Sequence, residues 1–274
     1  MALLEARDLT MVFGGLKAVS RFNLTVDAGE VLGIIGPNGA GKTTVFNMLS
    51  GVYRPTSGDI LLEGRSLIGL RPSEVNQAGL ARTFQNLRLF SNLSVIDNVK
   101  VALHARVAYG VWNAMLWDEE FKMKEVQIHE KAELLLDVFK LSPKARETAS
   151  SLPYGEQKRL EIARALATDP KVLLLDEPAA GMNPKETIEL IDLLGWVRTE
   201  FKATIVLIEH RMDVVMNFCE RIVAMDFGEI IAEGTPAEIQ GHPRVIEAYL
   251  GRGDEIGNLR NRRLGRQLRV NQSA

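Results

Sequence analysis

An α/β fold around a single phosphate-binding loop is predicted, with an antiparallel β subdomain and one inserted helical subdomain. Three observations predict it. Strand-like and helix-like periods alternate over most of the 274 residues. The pattern G-x-x-x-x-G-K-T occurs between a buried apolar run and a helical period. From about Asn92 to Lys140 the strand pattern gives way to helical periodicity alone.

The elements follow in order. "LEARDLTMVF" and "RFNLTV" alternate as strands and lead into the turn "DAGE". "VLGIIG" is a short apolar run of the kind buried on both faces of a sheet. The glycine-rich loop then opens into a helix, "KTTVFNMLSG", that ends on Gly51. "TSGDILLEG" reads as a turn and strand, and "ARTFQ" as a short strand. "VIDNVKVALHARV" and "IHEKAELLLDVF" carry the helical period, with "AYGVWNAMLWDEEF" between them. After Ser151 come the helix "EQKRLEIARALA", the strand "KVLLLD", a helix from Lys185 to Phe201 and the strand "TIVLIE". The hairpin "RIVAMDFGEIIAEG" and two short helices complete the fold. One domain is expected over residues 1–251, with 1–90 and 160–251 as its core and 91–159 as the helical subdomain. Residues 252–274 form an arginine-rich tail, read as a solvated terminus or as a basic arm for a lipid or partner.

Composition excludes several classes. A net charge of −2 makes no case for nucleic-acid binding. A single cysteine, Cys219, allows neither an internal disulfide nor a cysteine zinc cluster and reads as a small core hydrophobe. No apolar run approaches the ~18 residues of a membrane span, and the opening "MALLEARDLT" has no signal-peptide order. A chain kept in the cytoplasm, meeting a membrane only through partners, is expected.

The chemistry lies in two motifs. Gly36, Pro37, Asn38, Gly39, Ala40, Gly41, Lys42, Thr43 and Thr44 form the phosphate loop. Its glycines let successive backbone N–H groups face one anion. Lys42 supplies a charge for the β- and γ-phosphates, and the Thr43 hydroxyl a ligand for Mg²⁺. "KVLLLDEP" places Asp176 at the end of an apolar strand, where such enzymes hold magnesium, and Glu177 beside it to activate the attacking water.

Six motifs in this order resemble an ATP-binding cassette (ABC) transporter ATPase subunit, with its RecA-like P-loop NTPase core, over residues 1 to about 251. The resemblance implies that Phe13 stacks on the adenine of ATP. Gln85 in "TFQN" would sense magnesium and couple to the membrane subunits. "LPYGEQ" is the signature, which Tyr154, Gly155 and Glu156 would present to the ATP of a second cassette. "AAGMNP" fills the loop after "DEP", and His210 in "LIEH" would contact the γ-phosphate.

Three positions depart from the family pattern. Pro153 stands where a serine usually does and lacks the hydroxyl that would bond the partner's phosphate, an interaction of about 1.5–3 kcal/mol. A proline is sterically acceptable near a helix start, where its missing N–H would have no partner anyway. Tyr154 replaces a glycine and Asn183 an aspartate. With Lys42, Gln85, Glu177 and His210 all present, ATP turnover is expected rather than binding alone.

"YGEQKRLEIARAL", "LDEPAAGMNPKET", the insertion from about Val107 to Glu125 and the ending "IEAYLG" resemble the larger ATPase subunit of branched-chain amino-acid importers. That implies two permease subunits, a second ATPase subunit in a heterodimer or a homodimer, an extracytoplasmic substrate-binding protein, and a peripheral place on the cytoplasmic membrane face. The coupling surface is expected at Gln85 to Asn98. The alternatives are the ATPase of a lipopolysaccharide-type exporter, a soluble ABC protein of ribosomes or DNA, and a nucleotide switch with little hydrolysis.

Overall fold

The computed structural model describes residues 2–105 and 119–250. Most of the expected insertion, with Trp112 and Trp117, lies outside the described residues, as does the whole tail. The chain divides into two compact units. Among the described residues one comprises 2–49, 53–68 and 206–250, the other 50–52, 69–105 and 119–205.

The first unit opens with an antiparallel sheet in the order β2-β1-β4-β5, from β1 (Leu4–Phe13), β2 (Leu16–Val26), β4 (Ser57–Leu62) and β5 (Arg65–Ser66). Strand β2 is longer than its sequence pattern, because the stretch from Leu16 to Ser20, before Arg21, still pairs with β1, from Met11↔Val19 to Phe13↔Leu16. The expected doubly buried strand is β3 (Val31–Ile35), every residue of which is buried. It runs parallel to β9 (Arg221–Asp226), and β10 (Glu229–Gly234) returns antiparallel to β9. The phosphate loop joins β3 to α1 (Lys42–Leu49). Three short helices, α7 (Met212–Phe218), α8 (Pro236–Gly241) and α9 (Pro243–Leu250), belong to the same unit.

Cys219 caps the end of α7 and is buried. A Cβ on Gly33 of β3 would come within 2.9 Å of its Sγ. Burial pushes the thiol pKa up to about 12, so this is an inert packing residue, as expected from its setting.

The second unit holds α2 (Pro72–Ala78), β6 (Leu80–Arg82), α3 (Val95–His104), α4 (Glu119–Val138), α5 (Tyr154–Ala167), β7 (Val172–Asp176) and α6 (Pro184–Phe201). Strand β8 (Thr204–Ile208) begins in this unit and ends in the other. β6 and β7 pair in parallel, and α3 packs against both α4 and α5. The strand expected over "ARTFQ" stops at Arg82. Thr83 still donates its N–H to Leu174 O at 2.9 Å, but beyond it the backbone bonds to side chains of α5 instead of to a strand.

Among the described residues no helix is long and apolar enough to cross a membrane.

Candidate functional site

The phosphate loop is shaped by close backbone approach. Gly36 has φ +151°, and a Cβ there would lie 2.2 Å from the carbonyl oxygen of Met225. Gly41 has φ +99°, and a Cβ there would lie 2.7 Å from Ala18 O. Any side chain at either position would push the loop off its support, which is why glycine is required. The β9–β10 turn braces the same loop, Gly228 donating its N–H to Ala40 O at 3.0 Å. Pro37 and Ala40 are buried, while Asn38, Gly39 and Thr43 are exposed.

Lys42 is buried and donates from Nζ to Gly36 O at 2.5 Å and Pro37 O at 3.0 Å. Its ammonium therefore lies inside the curl of the loop, among groups that an incoming phosphate replaces with stronger, charge-assisted bonds. Open backbone, an enclosed cation and a helix N-terminus together fit a polyphosphate. Phe13 ends β1 partly exposed and packs edge-on against Tyr53, with ring centroids 5.4 Å apart. His210, just after β8, donates its backbone N–H to the buried Glu209 carboxylate at 3.2 Å.

The acidic site belongs to the second unit. Asp176 ends β7, where the apolar run VLLLD carries a carboxylate to the edge of the core. It does not stand alone: Arg82, at the end of β6, donates to its Oδ2 at 2.8 Å and to Ser50 Oγ at 3.0 Å. Both side chains of this ion pair are nearly solvent-free, at 4% and 3% exposure. Glu177 follows with a left-handed backbone, φ 48°, a conformation that costs a non-glycine residue free energy and clusters at functional sites. Its Oε2 accepts from Gln85 Nε2 at 3.0 Å, so the structure brings together the two residues assigned to water activation and coupling. In the first unit Thr43 offers a hydroxyl, and in the second Asp176 offers a carboxylate and Gln85 an amide, each an oxygen donor of the kind magnesium accepts.

The stretch expected to face a second nucleotide forms the first turn of α5. Tyr154 is exposed and lies over Gly181, where a Cβ would meet its ring at 3.0 Å. Burial raises the Tyr154 pKa, with the carboxylates of Glu161 and Glu177 adding to it. Gly155 is buried against Glu186, and Glu156 is held by Lys144 Nζ at 2.6 and 2.9 Å.

The profile of the ABC transporter family matches residues 19–180, and that of the branched-chain amino acid ATP-binding cassette transporter family matches residues 229–255. The high-affinity branched-chain amino acid transport ATP-binding protein LivG of Escherichia coli is 46% identical over 91% of this chain and 98% of its own length. The chain belongs to the ABC transporter family, as an ATP-binding cassette. Its fold matches an ABC transporter cassette solved in its ADP conformation, with TM-score 0.79, 30% identity, and 92% and 99% of the two chains covered. A dimeric cassette in a post-hydrolysis state bound to ADP and Pi matches with TM-score 0.72, 25% identity, and 85% and 98% coverage.

The cassette's departures from the family pattern have local explanations. Asn183 caps α6, its side chain accepting from Glu186 N at 3.0 Å while Glu186 accepts from Asn183 N at 2.9 Å. Asparagine caps a helix as well as aspartate does, so the replacement leaves this turn intact. The Tyr154 ring occupies the space over Gly181. Pro153 is the N-cap of α5: with φ −54° and ψ 151° its carbonyl accepts from Glu156 N and Gln157 N, both at 3.0 Å. Serine adopts that backbone without strain. Pro153→Ser is therefore expected to add a phosphate ligand and to tighten ATP-driven pairing of cassettes on the order of tenfold or more. Sedimentation with ATP in a hydrolysis-deficient background measures this, and an unchanged dimer fraction would make the proline only a helix start.

Sequence reading missed Arg82, Ser50, Lys144, Lys158, Glu161 and Asn98. Arg82 had one visible signal, a charge ending the apolar "GLAR". Asn98 is fully buried on α3, accepting from Phe90 N at 2.9 Å and donating to Phe90 O and Ser94 O at 3.0 Å each. It fixes the loop on which Phe90 and Leu93 are exposed.

Proposed function

We propose that this cassette is the ATP-hydrolysing subunit of an importer for branched-chain amino acids, acting peripherally at the cytoplasmic face of the plasma membrane. The observation that carries the reading is the identity with the LivG protein over nearly its whole length. It is supported by a phosphate loop whose lysine, glycines and helix N-terminus fit ATP.

In this reading Lys42 leaves the carbonyls of Gly36 and Pro37 for the β- and γ-phosphates, and the backbone of residues 36–44 encloses them. Phe13, backed by Tyr53, takes the adenine ring. Thr43, Gln85 and Asp176 would hold magnesium, which would neutralise charge on the phosphate oxygens. Glu177 orients the attacking water and takes up its proton. His210 contacts the γ-phosphate. Tyr154, Gly155 and Glu156 close on the ATP of a second ATPase subunit, in a heterodimer or homodimer. Two permeases dock on the segment from Gln85 to Asn98, where Phe90 and Leu93 are exposed. A substrate-binding protein outside the membrane delivers the amino acid, and nucleic acid has no part. Residues 91–159 act as the helical subdomain within a single domain spanning 1–251.

Affinity purification of the cassette from native membranes tests the reading. Two permeases and a second cassette are expected to co-purify, and their binding protein should hold leucine, isoleucine or valine. Recovery of an exporter scaffold or of ribosomes would overturn it.

A further inference from the structure

The segment from Phe84 to Phe90 leaves β6 without entering another strand or helix, so its backbone groups need partners from elsewhere. Three side chains of α5 supply them. Lys158 Nζ donates to Phe84 O at 3.3 Å and to Gln85 O at 3.1 Å. Glu161 Oε1 accepts from Phe84 N at 3.3 Å and from Arg88 N at 3.4 Å. Arg164 donates to Arg88 O, and its guanidinium lies 4.9 Å from the centre of the Phe90 ring. The spacing of three puts all of them in one row along the helix.

Lys158 and Glu161 are buried and lie 3.6 Å apart. Burial raises the Glu161 pKa, and the Lys158 ammonium works against that rise. A buried ion pair is often no more stable than apolar side chains of similar size. Packing alone therefore does not require charges here. What apolar side chains cannot do is grip both the N–H and the C=O groups of an irregular segment.

We propose that Lys158, Glu161 and Arg164 are positioning residues that make Gln85 and Phe90 move as one body with α5. The first turn of α5 is the part assigned to the partner's ATP, Gln85 holds Glu177, and Phe90 lies on the assigned permease surface. One helix thus links permease docking, the second nucleotide and the catalytic glutamate. The inference rests on the reading of the Gln85–Asn98 segment as the permease site.

The test uses the cassette in the complex with the permeases that co-purify with it, and compares its ATP turnover with that of the isolated subunit. In the double variant Lys158→Met/Glu161→Met both members of the buried pair are removed together, and Arg164 keeps its bond to Arg88 O, so folding is expected to survive. Its nucleotide affinity and permease co-purification should match the parent, whereas turnover in the complex should fall on the order of 10²-fold, as for a misplaced catalytic group. Lys158→Met/Glu161→Gln keeps an acceptor for both amides with no lone ammonium, and should restore most of the turnover lost in the double methionine variant. Arg164→Gln, at a less buried position, gives the same readout if the double methionine variant does not fold. Turnover equal to the parent in the double methionine variant, or in Arg164→Gln where that variant stands in for it, sinks the inference. Phe90→Ala separates the two levels. If it releases the permeases while the α5 variants act like the parent, the inference alone fails. If it changes neither docking nor turnover, the permease reading fails and takes the inference with it.

Discussion

Glu177→Gln is expected to lower phosphate release by roughly 10²–10⁴-fold, the contribution of a positioned general base, while ATP binding is retained. The structure makes this a clean substitution. Glu177 Oε2 accepts from Gln85 Nε2 at 3.0 Å, and the oxygen of the substituted amide can accept the same bond. Glu177 has a left-handed backbone at φ 48°, and its carbonyl accepts from Ala180 N at 3.1 Å, a main-chain bond that the substitution leaves in place. Position and partner are therefore kept, and what is lost is the negative charge and its basicity. A single-turnover phosphate-release assay, run beside a nucleotide-binding titration, reads the two effects separately. Release as fast as in the parent would remove Glu177 from its assigned role.

Arg82→Met is expected to lower stability by about 3–5 kcal/mol, because it leaves the Asp176 carboxylate buried without its cation. The pair meets at 2.8 Å with both side chains almost wholly out of solvent, so little water can take over. Adding Asp176→Asn to the same chain should recover part of the loss, since no lone charge then remains. Denaturant midpoints at constant slope measure both steps. A loss of only about 0–1 kcal/mol, the range of exposed pairs, would mean that water reaches the carboxylate after all. The pair also bears on the site, because Arg82 engages one oxygen of Asp176 from the protein side.

Much of this was legible in the residues. The phosphate loop was readable because its chemistry is local: the glycines, the lysine and the hydroxyl lie within nine consecutive positions between a strand and a helix. β3 and β7 were readable because strands buried on both faces are apolar throughout. Asp176 and Glu177 could be told apart by their places at the end of such a strand and just beyond it. Pro153 is readable as a residue near a helix start, and only the backbone geometry fixes it as the N-cap, with the helix beginning at Tyr154 rather than at Glu156. The strand over "ARTFQ" was drawn too long because Thr83 and Phe84 have strand-like side chains, while their backbone partners lie far along the chain.

The sequence by itself determined the α/β class, the order of the motifs, the phosphate loop and the acidic pair, since each is written in neighbouring residues or in a period of two or 3.6. Only the tertiary structure decided which charges hold the site in place. Arg82 meets Asp176 across 94 positions, and Glu161 meets Phe84 across 77. No local pattern encodes a contact of that separation; it exists because β6 pairs with β7 and α5 packs beside the segment that follows β6. Burial then turns two ordinary-looking charges, Arg82 and Glu161, into groups whose partners the site cannot spare.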